Sequence, residues 1–358
     1  MKRVLYVADA GSIHTRRWAE FFRDQGIEVH VASFRGATIA GVSVHVLPTY
    51  GLGRLGYLLA IMKLRALARC LRADVVHAQY VTSYGFLAAA ARLRPLVLTA
   101  WGTDVLISPR KSRLMRWLAR YAVRSADQIT TVAQHMNRAV AELGIPEDEV
   151  VAVPFGVDTE RFRPPTVPRP AVPPLRVIST RNFGPIYSVH TVIEAVRLLR
   201  EQGIDACLDL VGDGPLRGAL EKQTTAAGLR SHVVFHGHVD HARLAALLGQ
   251  AHVCVSPALS DGNNVSLNEA MACGCFPIAT NIPANAQWIV HGDNGYLYRG
   301  GHAAELAELL AQAMVAPDLR ERASVKNLQI VASRADWRVC VREMQTIYNR
   351  LAQSAKSP

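Results

Sequence analysis

No run of 18 or more apolar residues occurs in this chain of 358, so no segment reads as a membrane-spanning helix. The opening MKRVLYVADAGS has two basic residues, as a secretory signal would. Its apolar run is short, however, and Asp9 interrupts it, so a first β-strand is expected there. Charged residues are sparse at 19%, against 50% hydrophobic, which excludes global disorder and allows a large core. Cysteines are few, and most of Cys70, Cys207, Cys254, Cys273, Cys275 and Cys340 sit in apolar runs. That pattern suggests reduced thiols and a cytoplasmic setting. Cys273 and Cys275 form a C-x-C pair, but no second Cys/His pair follows at zinc-site spacing, so no metal is expected. Lysine is scarce too: six of the 40 basic residues, leaving arginine to carry most of a net charge of +11. Such a charge points to an anionic partner: nucleic acid, a membrane surface or a phosphorylated small molecule. No aromatic platform or nucleic-acid motif accompanies it, and nucleic acid is set aside.

What the chain does have is alternation, over a length suited to two domains. Strand-like runs fall at 4–8, 29–33, 44–47, 75–78, 96–99, 128–132 and 150–153. Helical periodicity lies at 15–25, 55–71, 84–92, 112–124 and 134–143. Then comes RFRPPTVPRPAVPPLR, with six prolines in sixteen residues, which can continue neither a helix nor a central strand. After it the alternation restarts. Strands are expected at 176–179, 207–211, 233–235, 253–256, 276–279 and 296–298. Helices are expected at 189–201, 216–227, 241–248, 265–273, 303–316, 319–332 and 336–352. The expectation is an α/β chain of two Rossmann-like, doubly wound domains facing across a cleft. The first spans 1–160, a Pro-rich linker 161–175 and the second domain 176–335. A closing helix in 336–358 has the option of crossing back to the first domain.

In such sheets ligands bind beyond the carboxyl ends of the strands, where five loops attract attention. After the first strand come Gly11, Ser12 and His14, without full G-x-G-x-x-G spacing; a plain turn with Ser12 as helix cap is the competing reading. TAWGTDVL places Trp101, Gly102, Thr103 and Asp104 at a strand end. Asp104 there can accept from a polyhydroxyl ligand or cap a turn. STRNFGPIYS holds Arg181, whose guanidinium can grip a diphosphate with paired hydrogen bonds or make a surface ion pair. LVGDGP offers Gly212 and Asp213. FHGHV offers His238, two residues after His236, with no third metal ligand; backbone contacts are expected there rather than metal. The fifth loop, SDGNNVSLNEAMACG, opens with the turn formers Asp261, Gly262, Asn263 and Asn264 and becomes a helix from Val265. Its free N-terminal amides suit phosphate. Glu269, one turn in, can accept from two neighbouring hydroxyls, as on a ribose; the plain alternative is a capped helix with a half-buried glutamate.

Together these blocks resemble the retaining glycosyltransferases of family 4, which have the two-Rossmann GT-B fold. SDGNNVSLNEAMACGCFPIAT is similar to the family's signature block, with two acidic residues, here Asp261 and Glu269, about a Gly-containing loop. VPFGVDTERFRP resembles its interdomain crossover, VGDGP and HVVFHGHV its donor-domain loops, and HGDNGYLY a late turn. The resemblance implies a hexosyl- or related transferase (EC 2.4 class), with an N-terminal acceptor domain and a C-terminal nucleotide-sugar domain. Its donor would be a UDP- or GDP-linked sugar and its acceptor a hydroxyl on a glycan, a lipid-linked or a small molecule; no cofactor and no metal are implied. Arg181, Asp261 and Asp104 become the catalytic expectations. Gly11, Gly212, Asp213, His238, Gly262, Asn263, Asn264, Val265 and Glu269 are the donor-binding ones. Ser12, His14, Trp101, Gly102 and Thr103 fall on the acceptor side or beside the sugar.

Two positions depart from the pattern. The lysine usual five or six residues after the arginine is Ile186 or Tyr187 here, and a frequent histidine is Trp101. These departures keep a second reading open, a nucleotide-sugar-binding or partner protein without turnover. A nucleotide-sugar epimerase is a third, but it would lack the signature block. Finally, RKSRLMRWLARYAVR spaces Arg113, Arg116, Arg120 and Arg124 along one helical face beside Leu114, Trp117, Leu118 and Tyr121. Residues 54–72 combine Tyr57, Leu58, Ile61 and Met62 with Lys63, Arg65, Arg69 and Arg72. Both suit peripheral binding to an anionic inner membrane face; both are also good core-packing helices with a basic solvent face, which leaves a soluble small-molecule or glycoside acceptor open.

Overall fold

In the computed structural model, which describes residues 1–48, 51 and 54–354, the β-branched runs form two sheets whose strands are all parallel. Leu55 and Leu58 in the first expected basic helix, together with Arg54, have side chains outside the described residues, as do residues 355–358 of the closing segment. The first sheet holds β1 (Arg3–Val7), β2 (Glu28–Ser33), β3 (Ser43–Val46), β4 (Val75–Gln79), β5 (Leu96–Ala100), β6 (Gln128–Thr131) and β7 (Val150–Ala152), in the order β3-β2-β1-β4-β5-β6-β7. The second holds β8 (Leu175–Ser179), β9 (Ala206–Val211), β10 (Val233–Gly237), β11 (Val253–Ser256), β12 (Phe276–Thr280) and β13 (Tyr296–Tyr298), in the order β10-β9-β8-β11-β12-β13. Continuous apolar strands such as Val4 to Val7, wholly buried, are what helices on both faces require. The strand order reverses between β1 and β4 in one sheet and between β8 and β11 in the other, and crevices for ligands open at such reversals.

The chain divides into two compact units. One is Met1–Phe155 together with the chain from Val341 onward; the other is Gly156–Cys340. The closing helix, Trp337–Ser354, therefore begins in the second unit and ends in the first. In the first unit Tyr348 is fully buried, and its hydroxyl donates to the Tyr6 hydroxyl at 3.1 Å and pairs with His77 Nδ1. His77 Nε2 meets Thr99 Oγ1 at 2.6 Å, and Thr99 meets Thr130 at 2.6 Å. Burial pulls the His77 pKa down to about 3, so the ring is neutral at ordinary pH.

The Pro-rich segment differs from the linker expected at 161–175, because it lies within the second unit and is strapped to it. Arg169 donates to the carbonyls of Ala251 (2.7 Å) and Cys273 (2.5 Å), both at helix C-termini, where a cation is favoured. His252 Nε2 pairs with the Pro170 carbonyl at 2.9 Å. The helix expected at 84–92 also differs. It begins with a π-type turn at Val81–Gly85 and continues as Phe86–Ala90. Its start is fixed by Asp104, whose Oδ2 accepts from the Val81 amide at 2.7 Å. No helix among the described residues is long and apolar enough to cross a membrane.

Candidate functional site

Arg181 stands two residues beyond β8, and the 260–264 loop follows β11, so the reversal of the second sheet brings them together. Arg181 is 9% exposed. Its Nη1 donates to Asn264 Oδ1 at 2.8 Å and its Nη2 to Asp261 Oδ2 at 2.5 Å. Its guanidinium lies 4.6 Å from the centre of the Tyr187 ring. An aromatic face thus occupies the place where the sequence pattern suggested a lysine, and it orients the arginine by cation–π attraction. The Arg181 Nε is buried and has no hydrogen-bond partner. The Nε–H is therefore unspent, and Asp261 on Nη2 is a group that a diphosphate can displace.

Asn264 is wholly buried and caps the helix Val265–Ala272, its Oδ1 accepting from the Leu267 amide at 3.1 Å. Its Nδ2 donates to Ser256 Oγ (2.7 Å) and Asn285 Oδ1 (2.8 Å). All its side-chain capacity is consumed, so its part is to position Arg181 and the helix rather than to offer its side chain to a ligand. The Val265 amide, expected to face phosphate, instead donates to the Asn263 carbonyl at 3.0 Å. In the first turn the Ser266 amide, which the sequence reading did not single out, has no protein acceptor among the described residues. Asn263 is 8% exposed, and both polar atoms of its side chain are buried without a partner. Such an amide is costly to leave unpaired and marks where a polar ligand belongs. Gly262 sits between Asp261 and this pair, and Glu269 is half-buried one turn into the helix. Its charge helps to raise the pKa of the buried Cys273 thiol, chiefly elevated by burial itself.

Gly212 and Gly214 have a different reason to be glycine than the expected approach of a ligand. A Cβ on Gly212, at φ +139°, would lie 2.3 Å from the Arg181 carbonyl, and one on Gly214 would lie 2.9 Å from Phe183. Both glycines let the VGDGP loop dock on the backbone that carries Arg181, a docking held by Phe183 N to Asp213 O at 2.9 Å. The Asp213 carboxylate accepts from the Gly214 amide (2.7 Å) and from Arg217 (3.1 Å). His238 is exposed beyond β10, while His236 pairs with Asp209 at 2.6 Å. Among the described residues no three His, Cys, Asp or Glu side chains group as a metal site.

In the first unit the loops after β1 and β5 hold a cluster of rings. His14 stacks on Phe155 with centroids 3.8 Å apart, and Trp101 meets both edge-on, at 5.7 and 5.4 Å. Burial and, secondarily, the charge of Arg17 pull the His14 pKa down to about 4. Tyr80 and Thr103 share a 2.8 Å hydrogen bond. Ser12 caps the helix Ile13–Asp24, accepting from the His14 amide at 3.3 Å, and the Gly11 amide donates to Asp9 Oδ1 at 2.9 Å. Asp104, expected among the catalytic groups, lies at the base of this loop. It is fully buried, and its carboxylate accepts from the amides of Val81 (2.7 Å), Trp101 (3.1 Å) and Gly102 (2.8 Å). Burial raises its pKa against the pull of these amides. These bonds tie the carboxylate to the loop after β5 and to the start of the turn at Val81.

This geometry agrees with what the chain is similar to. Residues 3–133 match the family model described as glycosyl transferase 4-like, and residues 168–328 match glycosyl transferases group 1. The chain is a glycosyltransferase of this group. Glycogen synthase of Mycobacterium tuberculosis is 25% identical over 298 residues, covering 81% of this chain and 72% of that protein. N-acetyl-alpha-D-glucosaminyl L-malate synthase of Bacillus anthracis is 24% identical over 335 residues, covering 90% and 85%. Among solved structures, HepE of Anabaena in complex with UDP superposes with a TM-score of 0.79 at 20% identity, over the whole of both chains. Sucrose-phosphate synthase of Thermosynechococcus elongatus gives 0.78 at 18%, over 99% and 100%. The glycosyltransferase thus has the GT-B fold of two Rossmann-like α/β units.

Proposed function

We propose that this glycosyltransferase moves a sugar, with retention of anomeric configuration, from a UDP- or GDP-linked donor to a hydroxyl acceptor. In this reading the second unit binds the donor and the first the acceptor. The observation that carries it is the part-buried Arg181 fork, held against Asp261 and the capped N-terminus of the helix Val265–Ala272, beside the unpaired amide of Asn263. A diphosphate entering here replaces Asp261 on Arg181 and reaches the unspent Nε and the Ser266 amide. The Asn263 side chain, both donor and acceptor, then meets sugar hydroxyls, and Glu269 accepts from the ribose. As the glycosidic bond to phosphate breaks, Arg181 and the helix terminus stabilise the growing negative charge in place of a metal ion. The departing phosphate oxygen takes the acceptor's proton on the same face of the sugar, which needs no protein nucleophile. His14, Trp101 and Thr103 stand on the acceptor side.

Calorimetry with UDP and GDP tests the reading. Glu269→Gln should weaken binding of the preferred nucleotide while the fold, followed by circular dichroism, stays intact; undiminished affinity refutes the ribose role. Activity should also survive EDTA, and a loss restored by magnesium or manganese refutes the metal-independent step.

The acceptor reading extends to a lipid surface. The helix Arg113–Ser125 packs inward through the small residues Ala119, Ala122 and Val123 and leaves Leu114 54% and Trp117 56% exposed among Arg113, Arg116 and Arg120. Large apolar groups turned outward between arginines suit an anionic bilayer rather than a core. In the helix Arg54–Leu71, Tyr57 and Met62 are likewise exposed. Co-sedimentation with anionic vesicles, weakened by salt and by charge reversal at Arg113, Arg116 and Arg120, supports a lipid-linked acceptor reached from the cytoplasmic face. No sedimentation at low salt leaves a soluble acceptor.

A further inference from the structure

The Pro-rich strap lines an open cavity of about 640 Å³ in the second unit. Arg176 lines it from the second position of β8, and Gly249 and Gln250 line it from the end of the helix that leads into β11. It therefore lies at the amino ends of these strands, opposite the loops that hold Arg181. Arg161, Arg163 and Arg169 also line it, and no aspartate or glutamate does. Arg169 is committed to the Ala251 and Cys273 carbonyls. Arg161 has only a 3.9 Å approach to Asp158 and a 3.3 Å contact with His241. Among the described residues neither Arg163 nor Arg176 has a carboxylate within ion-pair distance. The Arg176 Nε is moreover buried without a hydrogen-bond partner.

Around this concavity Arg163 and Arg176 lack a counter-charge and Arg161 has only its 3.9 Å approach to Asp158, so positive charge is in excess there, and the buried Arg176 N–H with no acceptor adds to the imbalance. An anion of several charges and many acceptor oxygens relieves both. Prolines wall the cavity and Pro165 packs on the helix at Gly249, so the guanidiniums stand on a stiff frame that needs little ordering to bind. A single carboxylate matches one fork, whereas linked phosphoryl groups match three. We propose that this cavity binds an oligophosphate, an anion with two or more linked phosphoryl groups, independently of the donor.

The test is calorimetric titration of the full chain with tripolyphosphate, inorganic phosphate and ATP in about 150 mM salt, where loose surface attraction is screened. Saturable one-to-one binding of tripolyphosphate is expected, weaker by roughly tenfold or more in Arg163→Glu and in Arg176→Met and retained in Arg181→Ala. Arg163 is exposed, so its variant should fold; Arg176→Met keeps the apolar stem as an independent check. Equal binding of ATP and tripolyphosphate assigns recognition to the phosphate chain, and tighter ATP binding that falls in both cavity variants makes a nucleotide the carrier; both support the site. Affinity unchanged in both cavity variants overturns the proposal. So does loss of binding in Arg181→Ala alone, which places the ligand in the donor site. Inorganic phosphate binding as tightly as tripolyphosphate overturns the requirement for linked groups.

Discussion

Acidification should loosen the first unit through His77, by an amount set by elementary linkage. The ring is wholly buried between Tyr348 and Thr99, and burial lowers its pKa from 6.5 to about 3. A depressed pKa means that the folded unit holds the neutral ring while the unfolded chain binds a proton readily. The stabilisation is therefore full above pH 6.5 and is lost as pH falls toward 3. At pH 5 the folded ring is still neutral and the unfolded one almost fully protonated, so the loss relative to pH 7 is about 2 kcal/mol, or roughly 25-fold in the opening equilibrium. This figure depends little on how far below 5 the folded value lies. The assay is hydrogen exchange of the β4 and β5 amides at pH 7 and pH 5, corrected for intrinsic rates, in the wild type and in His77→Gln. The amide variant does not titrate, so its own cost cancels when each protein is compared with itself. The wild type should lose about 2 kcal/mol more protection than the variant over this interval. An equal loss in both would refute the reasoning, since it would mean that His77 carries its proton in the folded unit or that the seam opens without unfolding.

Three further outcomes concern the donor-side network. Arg181→Ala should lower transfer by roughly two orders of magnitude, with only partial recovery in Arg181→Lys, which lacks the fork; a fully active alanine variant excludes charge stabilisation at this position. Asn264→Ala removes a cap worth about 1 kcal/mol and leaves Ser256 Oγ, Asn285 Oδ1 and one Arg181 donor without this partner at about 1 kcal/mol or more each. Chemical denaturation should therefore show a total of about 4 kcal/mol, and a change within error contradicts the network. Gly212→Ala places a Cβ against the Arg181 carbonyl at a φ that side chains rarely adopt, so it should both destabilise the second unit and raise KM for donor; a crystal structure of the variant with Arg181 unmoved and KM unchanged counts against that link.

The fold was legible because it is written in local periodicity. Runs such as VLYV and PLVL lack the alternation of a half-exposed strand and are separated by helix-period segments, which together require parallel strands covered on both faces. The Pro-rich segment misled for a reason that is also local. Proline density excludes regular structure but is silent about attachment, and the bonds that strap 164–170 to the second unit come from Ala251, Cys273 and His252, over eighty residues away. At the site, the nearness of Arg181 to the 260–264 loop follows from strand order and could be reasoned from a doubly wound sheet. What could not be read was the spending of donors and acceptors. Asp104 and Asp261 are both carboxylates in polar loops after a strand. Yet three amides, one of them Val81 from another loop, consume the first, while the second faces a single guanidinium.

The same holds for glycine. A glycine after a parallel strand signals that backbone approaches closely there, but the approaching partner can be a ligand or the neighbouring loop. At Gly212 the approaching partner is the Arg181 carbonyl, so the glycine seats the arginine. At the first turn of Val265–Ala272, Asn264 and the Asn263 carbonyl take three of the first four amides, and Ser266 remains. A glycine or a helix start in the sequence therefore points to a region of a doubly wound unit, and only the hydrogen bonds of the folded chain show which of its atoms have no partner within the protein.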